Sequence, residues 1–282
     1  MNESQDDQTA ISAAAAYGIE YAREKLAGLK LAVLTGAGLS TDSGIPDYRG
    51  AGKTHQHPMT FDRFMGSFEA QQRYWARSFV GWSRISQAQP NPGHFALALA
   101  EQHGTLTTLI TQNVDGLHQR AGSKNVLELH GRLDQVRCMK CGLLMPRSEV
   151  DYLLAQLNPG VSKDQNVEYS PDGDAEIEAT KDFRIPVCPR CSGVLKPDVV
   201  FFGEQVEAGL VERCMAGVDA AGGLLVAGTS LSVNSGMRFV KRALKAEKPV
   251  VIINLGPTKG DELALAKIEA NTSIALERLL LD

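Results

Sequence analysis

Short apolar runs, β-branched or leucine-rich, recur along the chain at residues 31–35, 106–111, 126–129, 224–227 and 250–254. Most end in Gly, Asn or Ser, the pattern of parallel strands buried on both faces. Between them lie helical stretches such as 94–103, where Phe95, Leu97 and Leu99 stand among alanines and Gly104 closes the run. An alanine tract at 13–16 opens a further helix that continues through Tyr21 to Leu26. Strand alternating with helix predicts an α/β fold built on a doubly wound parallel sheet.

Two stretches break this rhythm. Residues 58–84 carry Phe61, Phe64, Phe68, Tyr74, Trp75, Phe79 and Trp82 at roughly helical spacing, which predicts a helical module packed on the sheet. Residues 138–191 hold two Cys-x-x-Cys pairs and a polar stretch, 158–182, whose Pro159, Gly160, Pro171, Asp172 and Gly173 predict a long loop. The expected order is the first part of the sheet domain at 1–57, the helical module at 58–90 and the sheet domain again at 91–136. The cysteine module follows at 137–195, and the sheet domain is completed at 196–282.

Composition excludes several function classes. Twenty-nine Lys and Arg against 33 Asp and Glu leave a net charge of −4, so no global field attracts nucleic acid. The first eight residues are acidic and lack a positive leader, and no run approaches the roughly 20 apolar residues that span a bilayer. A soluble, cytoplasmic monomer without nucleic-acid or membrane partners is expected.

Four of the five cysteines fall into the pairs Cys138-x-x-Cys141 and Cys188-x-x-Cys191, separated by 46 residues. Each pair puts two thiolates on one side of a tight turn, and two such turns complete a tetrahedral sulfur site for one structural Zn2+. With all four positions taken by sulfur, no place is left for a catalytic water. A redox reading would need a single pair beside a βαβ unit. Cys214, in a helical context, reads as a small buried hydrophobe.

Candidate ligand chemistry sits at the strand ends. The run 31–35 enters Gly36-Ala37-Gly38-Leu39-Ser40, where two glycines let the backbone approach a pyrophosphate and a following helix N-terminus would favour its charge. The three-glycine dinucleotide pattern is incomplete, because Thr41 takes the third place and no acid ends a strand about 20 positions on. Three more polar turns, Gln112-Asn113-Val114-Asp115, Gly228-Thr229-Ser230 and Asn254-Leu255-Gly256, close other strands. Ligands of open α/β sheets bind beyond the carboxyl ends of strands, so these turns describe one site.

Taken in order, Gly36–Ser40 with Gly44-Ile-Pro-Asp-Tyr-Arg49, Thr111–His118, Leu129-His-Gly131, Lys196–Glu204, Gly228-Thr-Ser230 and Ile253–Gly256 resemble the signature of the sirtuin family around its two cysteine pairs. Gln72–Arg77, Gln89–His94, Pro171–Asp174 and Asn254–Thr258 look like class II sirtuins, the branch that includes a mitochondrial member. Tyr48 and Gly50 depart from the commoner Phe and Ser. The resemblance implies a Rossmann-like sheet with inserted zinc and helical modules, and an NAD-dependent deacylase acting on acylated-lysine proteins. It yields nicotinamide, free lysine and O-acyl-ADP-ribose.

Residue by residue, the resemblance makes His130 the base, an imidazole suited to neutral pH. Asn113 and Gln112 hold the nicotinamide ribose, Asp115 the carboxamide, and Asp47, Tyr48 and Arg49 lie on the loop over it. Gly36, Ala37, Gly38, Ser40, Val114, Gly228, Thr229 and Ser230 line the rest of the NAD cleft, with Asn254, Leu255, Gly256 and Thr272 toward the adenosine. Val200 and Phe202 border an acyl-lysine tunnel with strand-like pairing to the substrate. Tyr74 and Arg77, at i and i+3, either form a clamp for an acidic acyl group or serve as packing and surface residues. His55, His57, His94, His103 and His118 read as surface residues. A binding module without turnover and a mono-ADP-ribosyltransferase remain as rivals.

Overall fold

The alternation of apolar runs and helices is realised in a computed structural model describing residues 11–47, 58–163 and 181–281. In chain order the elements are α1 (Ala13–Leu26), β1 (Leu31–Thr35), α2 (Phe61–Gly66), α3 (Phe68–Gln87), α4 (Pro92–Gln102), β2 (Leu106–Thr111), α5 (Leu117–Arg120), β3 (Val126–Glu128) and β4 (Gly131–Cys138). Then come β5 (Leu144–Pro146), α6 (Arg147–Leu157), β6 (Leu195–Val199), α7 (Ala208–Ala220), β7 (Gly223–Ala227), α8 (Asn234–Lys245), β8 (Val250–Ile253), β9 (Ala266–Ile268) and α9 (Thr272–Leu281). Local chemistry sets several starts. Ser12 accepts from the Ala15 amide to cap α1. Asn91 caps α4 with Pro92 in the first helical position, so that helix begins two residues before the apolar periodicity suggests.

Six parallel strands pair in the order β3-β2-β1-β7-β8-β9. Every residue of β1, β7 and β8 is buried, which is why each reads as an unbroken apolar run. One face is covered by α1, α4 and α9 around Ile19, Leu97, Leu109 and Leu276. The other carries α7 and α8 through Cys214, Val218, Phe239 and Val240. Strand order reverses between β1 and β7, and that switch point fixes where a ligand cleft opens.

A second core lies beside the sheet. Strands β5-β4-β6 form a small antiparallel sheet, and side chains from α2, α3 and the cysteine-bearing turns pack with it into one cluster. The Trp75 indole donates to Leu195 O at 3.1 Å, and Gln72 donates to Phe183 O at 2.8 Å. Arg147 is completely buried, a placement that costs several kcal/mol for an unpaired charge. Here it donates to Ser78 Oγ and Ser78 O at 2.8 and 3.1 Å, pairs with Asp151 at 3.6 Å and lies over Trp75 and Trp82. The segments read as helical and zinc modules thus share a common interior.

Among the described residues, no helix is long and apolar enough to cross a membrane.

Candidate active site and metal centre

The site grows from the switch point. Where a helix is expected after Gly36–Ser40, the chain makes two single 3-10 turns, Ala37–Leu39 and Thr41–Ser43, so no helix dipole builds there. The β1 loop leans instead on the β7 loop, with the Gly38 amide donating to Gly228 O at 2.8 Å. Gly228 has φ +66°, and a Cβ on it would sit 2.3 Å from the Leu39 nitrogen. These glycines are therefore required first by loop–loop contact. Only a backbone this bare lets the two strand ends form one floor.

The turn after β2 is wired to that floor. Asn113 Nδ2 donates to Gly36 O and Ser40 Oγ at 3.0 and 3.1 Å, and Ser40 Oγ donates to Asp115 Oδ2 at 2.7 Å. Asp115 Oδ1 accepts the Leu117 amide at 2.9 Å. Burial pushes the Asp115 carboxyl up, against the pull of the Leu117 amide, the Ser40 hydroxyl and Arg120. Thr229 Oγ1 donates to Gln112 Oε1 at 2.8 Å, tying the β7 loop to the same turn. Val114 contributes its carbonyl, which accepts the Leu133 amide at 2.9 Å.

His130 stands over this network, between β3 and β4. Its Nδ1 lies 3.1 Å from Gln112 O and its Nε2 3.0 Å from Ser235 Oγ. A carbonyl can only accept, so Nδ1 carries the proton and Nε2 presents its lone pair. Burial holds the imidazole below its ordinary range; the Gln112 carbonyl pulls it up and the Arg238 charge pulls it down again. The ring is therefore neutral near pH 7 and able to take a proton at Nε2.

Further along the same edge, Asn254 is nearly buried and its amide donates to Leu255 O at 2.7 Å and Gly256 O at 3.2 Å. Leu255 is exposed, Ser230 Oγ lies 3.1 Å from Ser232 Oγ, and Thr272 is buried at the start of α9. Asp47 ends the first described stretch, half-buried. Tyr48, Arg49, Gly50, His55, His57 and the Pro171–Asp174 motif lie outside the described residues.

On the side facing the second core, the Val200 amide donates to His130 O at 2.8 Å, and Phe202 O accepts the Phe61 amide at 2.9 Å. Those two backbone groups are engaged within the chain, while the Phe202 side chain is exposed. Buried Lys196 fastens this segment, pairing with Glu204 at 3.0 Å and donating to Val199 O. Tyr74 is 1% exposed, its ring 5.1 Å from Phe201 and 5.5 Å from Phe64, whereas Arg77 is half-buried.

Two histidines correct the surface reading. His94 and His118 are buried with ring centroids 4.9 Å apart. His94 Nδ1 accepts the Asn91 amide at 3.3 Å, and His118 Nε2 lies 2.9 Å from Thr35 Oγ1 beneath the floor. Burial lowers His94 to about 4; burial and the His94 charge lower His118 as well. His103 is exposed as expected.

The four sulfurs of Cys138, Cys141, Cys188 and Cys191 lie within 4.8 Å of one another. Cys138 and Cys191 are 3.5 Å apart and Cys141 and Cys188 3.7 Å. These spacings exceed an S–S bond and match the edge of about 3.8 Å that follows from a tetrahedron with Zn–S of about 2.3 Å. Both turns are built alike: the Gly142 amide donates to Cys138 O and the Ser192 amide to Cys188 O. A Cβ on Gly193 would press within 2.9 Å of Cys138 Sγ and 3.2 Å of Cys191 Sγ. The cradle fits a zinc ion, with no side for water. Cys214 is buried on the inner face of α7, as expected.

Sequence reasoning passed over Ser235 and the Thr35–His118 pair, and gave Lys196 and Glu204, the two ends of a quoted motif, no role of their own. For Ser235 the one signal was its place at the end of the polar turn that follows β7.

The model of the Sir2 family matches residues 36–235. An NAD-dependent protein deacetylase of Xanthomonas axonopodis pathovar citri is 53% identical over 251 residues, covering 88% of this chain and 85% of that one. A Sir2 structure with a p53 peptide and NAD+ is 30% identical with TM-score 0.75, covering 93% of this chain and 96% of the other. Sir2Tm bound to a propionylated peptide is 29% identical with TM-score 0.74 over the same shares.

Proposed function

Because the chain belongs to the Sir2 family, we propose that it is an NAD-dependent protein-lysine deacylase with one structural zinc. The observation that carries this reading is the imidazole of His130, held at Nδ1 by Gln112 O beside the strand-end turns of the switch point, which leaves Nε2 as the acceptor. NAD, when bound, would supply an ADP-ribosyl group to the acyl oxygen with loss of nicotinamide, and water would then release free lysine and O-acyl-ADP-ribose. His130 takes the proton of a ribose hydroxyl at Nε2, a role that requires a neutral ring at working pH. Gln112 and Asn113 orient that ribose. Asp115 accepts from the carboxamide, the group to which the resemblance also assigns Asp47, Tyr48 and Arg49. Thr229, Ser230 and the bare backbone from Gly36 to Gly38 cradle the pyrophosphate, and Asn254 through Gly256 with Thr272 receive the adenosine.

Acyl-lysine enters beside Val200 and Phe202. Val200 is tied to His130 through its amide, so the acyl-binding segment and the base share one anchor. Propionyl as well as acetyl groups are substrates; a Sir2 protein with a propionylated peptide supports this breadth. The protein acts as a cytoplasmic monomer of the class II type on acylated proteins. Gln72–Arg77, Gln89–His94 and Asn254–Thr258 support the class, and four closely set thiols without disulfides fit a reducing compartment.

Incubation with NAD and a panel of acyl-lysine peptides, read by mass spectrometry, tests the reading. Free lysine peptide and O-acyl-ADP-ribose are expected in equal amounts. ADP-ribose carried over to a protein acceptor, with the peptides untouched, would replace the deacylase with a mono-ADP-ribosyltransferase.

A further inference from the structure

The lone pair of His130 Nε2 is met by the hydroxyl of Ser235, in the first turn of α8. That turn is seated on the residue that holds the other side of the ring. A Cβ on Gly236 would come within 2.8 Å of Gln112 Nε2, so this turn of α8 lies directly against the Gln112 side chain. No side chain caps α8, which leaves the Ser235 hydroxyl free of its own helix. With Nδ1 protonated toward Gln112 O, Ser235 can approach Nε2 only as a donor.

Resting on the deacylase reading, we propose that Ser235 is a positioning residue: its hydroxyl holds the Nε2 lone pair of His130 toward the ribose-hydroxyl site and yields it when that hydroxyl arrives. Two donors contend for one lone pair, and the substrate prevails because it is held by the rest of the cleft. Ser235 also favours the neutral ring, since a hydrogen bond given to the unprotonated form stabilises that form. Arg238, one turn further along α8, acts in the same sense. The acids nearby are otherwise engaged: Asp115 with Ser40 and the Leu117 amide, Glu128 with Gln119 and Arg132. Removing the hydroxyl therefore makes His130 a stronger base and loosens the ring.

Ser235→Ala tests this in the zinc-loaded full chain, and alanine favours the helix, so the variant folds. Nitrogen-detected NMR of the imidazoles without NAD should show His130 as the Nδ1–H form in the natural protein. In Ser235→Ala its titration should move up by about 0.7 pH unit, the effect of one ordinary hydrogen bond. The acid limb of kcat/KM on an acetyl-lysine peptide should move with it, and Ser235→Thr should restore both. A His130 titration identical in the natural protein and Ser235→Ala would overturn the inference, whatever the activity. A shifted titration in a protein that deacylates no peptide would overturn the deacylase reading and leave the Ser235 contact standing.

Discussion

The buried pair of His94 and His118 makes acid stability a direct test of the packing beneath the site. His94 is held to about 4 by burial, while in the unfolded chain it titrates near 6.5. Between those values the unfolded state binds a proton that the native state refuses, so stability falls as pH drops from about 6.5 to about 4 and then levels. At about 1.4 kcal/mol per pH unit, the gap amounts to about 3.5 kcal/mol, a large share of the 5–15 kcal/mol typical of a domain. His118 adds a loss in the same direction, since burial lowers it too. The perturbation is His94→Gln, whose side-chain oxygen can still accept the backbone amide of Asn91, the residue whose side chain caps α4. Urea unfolding at pH 7, 6, 5 and 4.5 should give nearly parallel midpoints near neutrality, with the natural protein losing stability faster below pH 6.5. Loss of zinc from its thiols in acid affects both proteins alike and cancels in the difference. Curves that stay parallel down to pH 4.5 would refute a neutral, buried His94.

Three further outcomes follow from the assigned roles. His130→Ala should reduce turnover by about 10²–10⁴-fold while NAD still binds; more than a tenth of the natural turnover on the best peptide would remove His130 as the base. The purified protein should hold one zinc per chain and Cys188→Ser should unfold or aggregate, since metal-binding energy here is folding energy; a folded, metal-free and fully active Cys188→Ser protein would contradict a structural ion. If Arg77 meets an acidic acyl group, glutaryl-lysine should be removed faster than acetyl-lysine and Arg77→Met should reverse that order; an unchanged ranking of kcat/KM leaves Arg77 without a part in acyl choice.

The sheet was legible because buried parallel strands announce themselves: with every residue of β1, β7 and β8 inside, the runs are unbroken and their bounds come out within a residue. The cysteine turns were legible because tetrahedral sulfur chemistry fixes their internal spacing. Long-range contact was not. Nothing in the local pattern says that Trp75 will donate to Leu195, or that Arg147 will lie against Ser78 and two indoles. His94 and His118 were misread for the same reason. A histidine in an ordinary helical stretch looks like a surface residue until the Asn91 cap and Thr35, on a different strand, take its nitrogens. The turns after β1 defied the pattern because the loop settles on Gly228 rather than propagating a helix.

The metal and the base, far apart in sequence role, are joined by two strands. β4 starts next to His130 and ends at Cys138; β6 runs antiparallel to it, with Cys138 opposite Leu195 and Gly131 opposite Val199. At about 3.4 Å per residue, this ribbon sets Cys138 roughly 20–25 Å from His130, so an ion held by the four cysteines would take no part in bond making. A zinc ion held by the four cysteines would clamp one end, and the other end delivers His130 and Val200, linked by their own backbone hydrogen bond. Gly131 makes the crossing possible. It has φ +79°, and a Cβ there would lie 2.0 Å from Asp198 O, so β6 could not close on β4 beside any larger residue. On the other side, the Leu129 amide donates to Thr111 O and keeps the same segment in the large sheet. His130 thus sits where the two sheets exchange a strand, fixed from both. A rigid imidazole at that junction can hold its Nε2 lone pair toward a cleft formed by one sheet while gripping, through Val200, the segment supplied by the other.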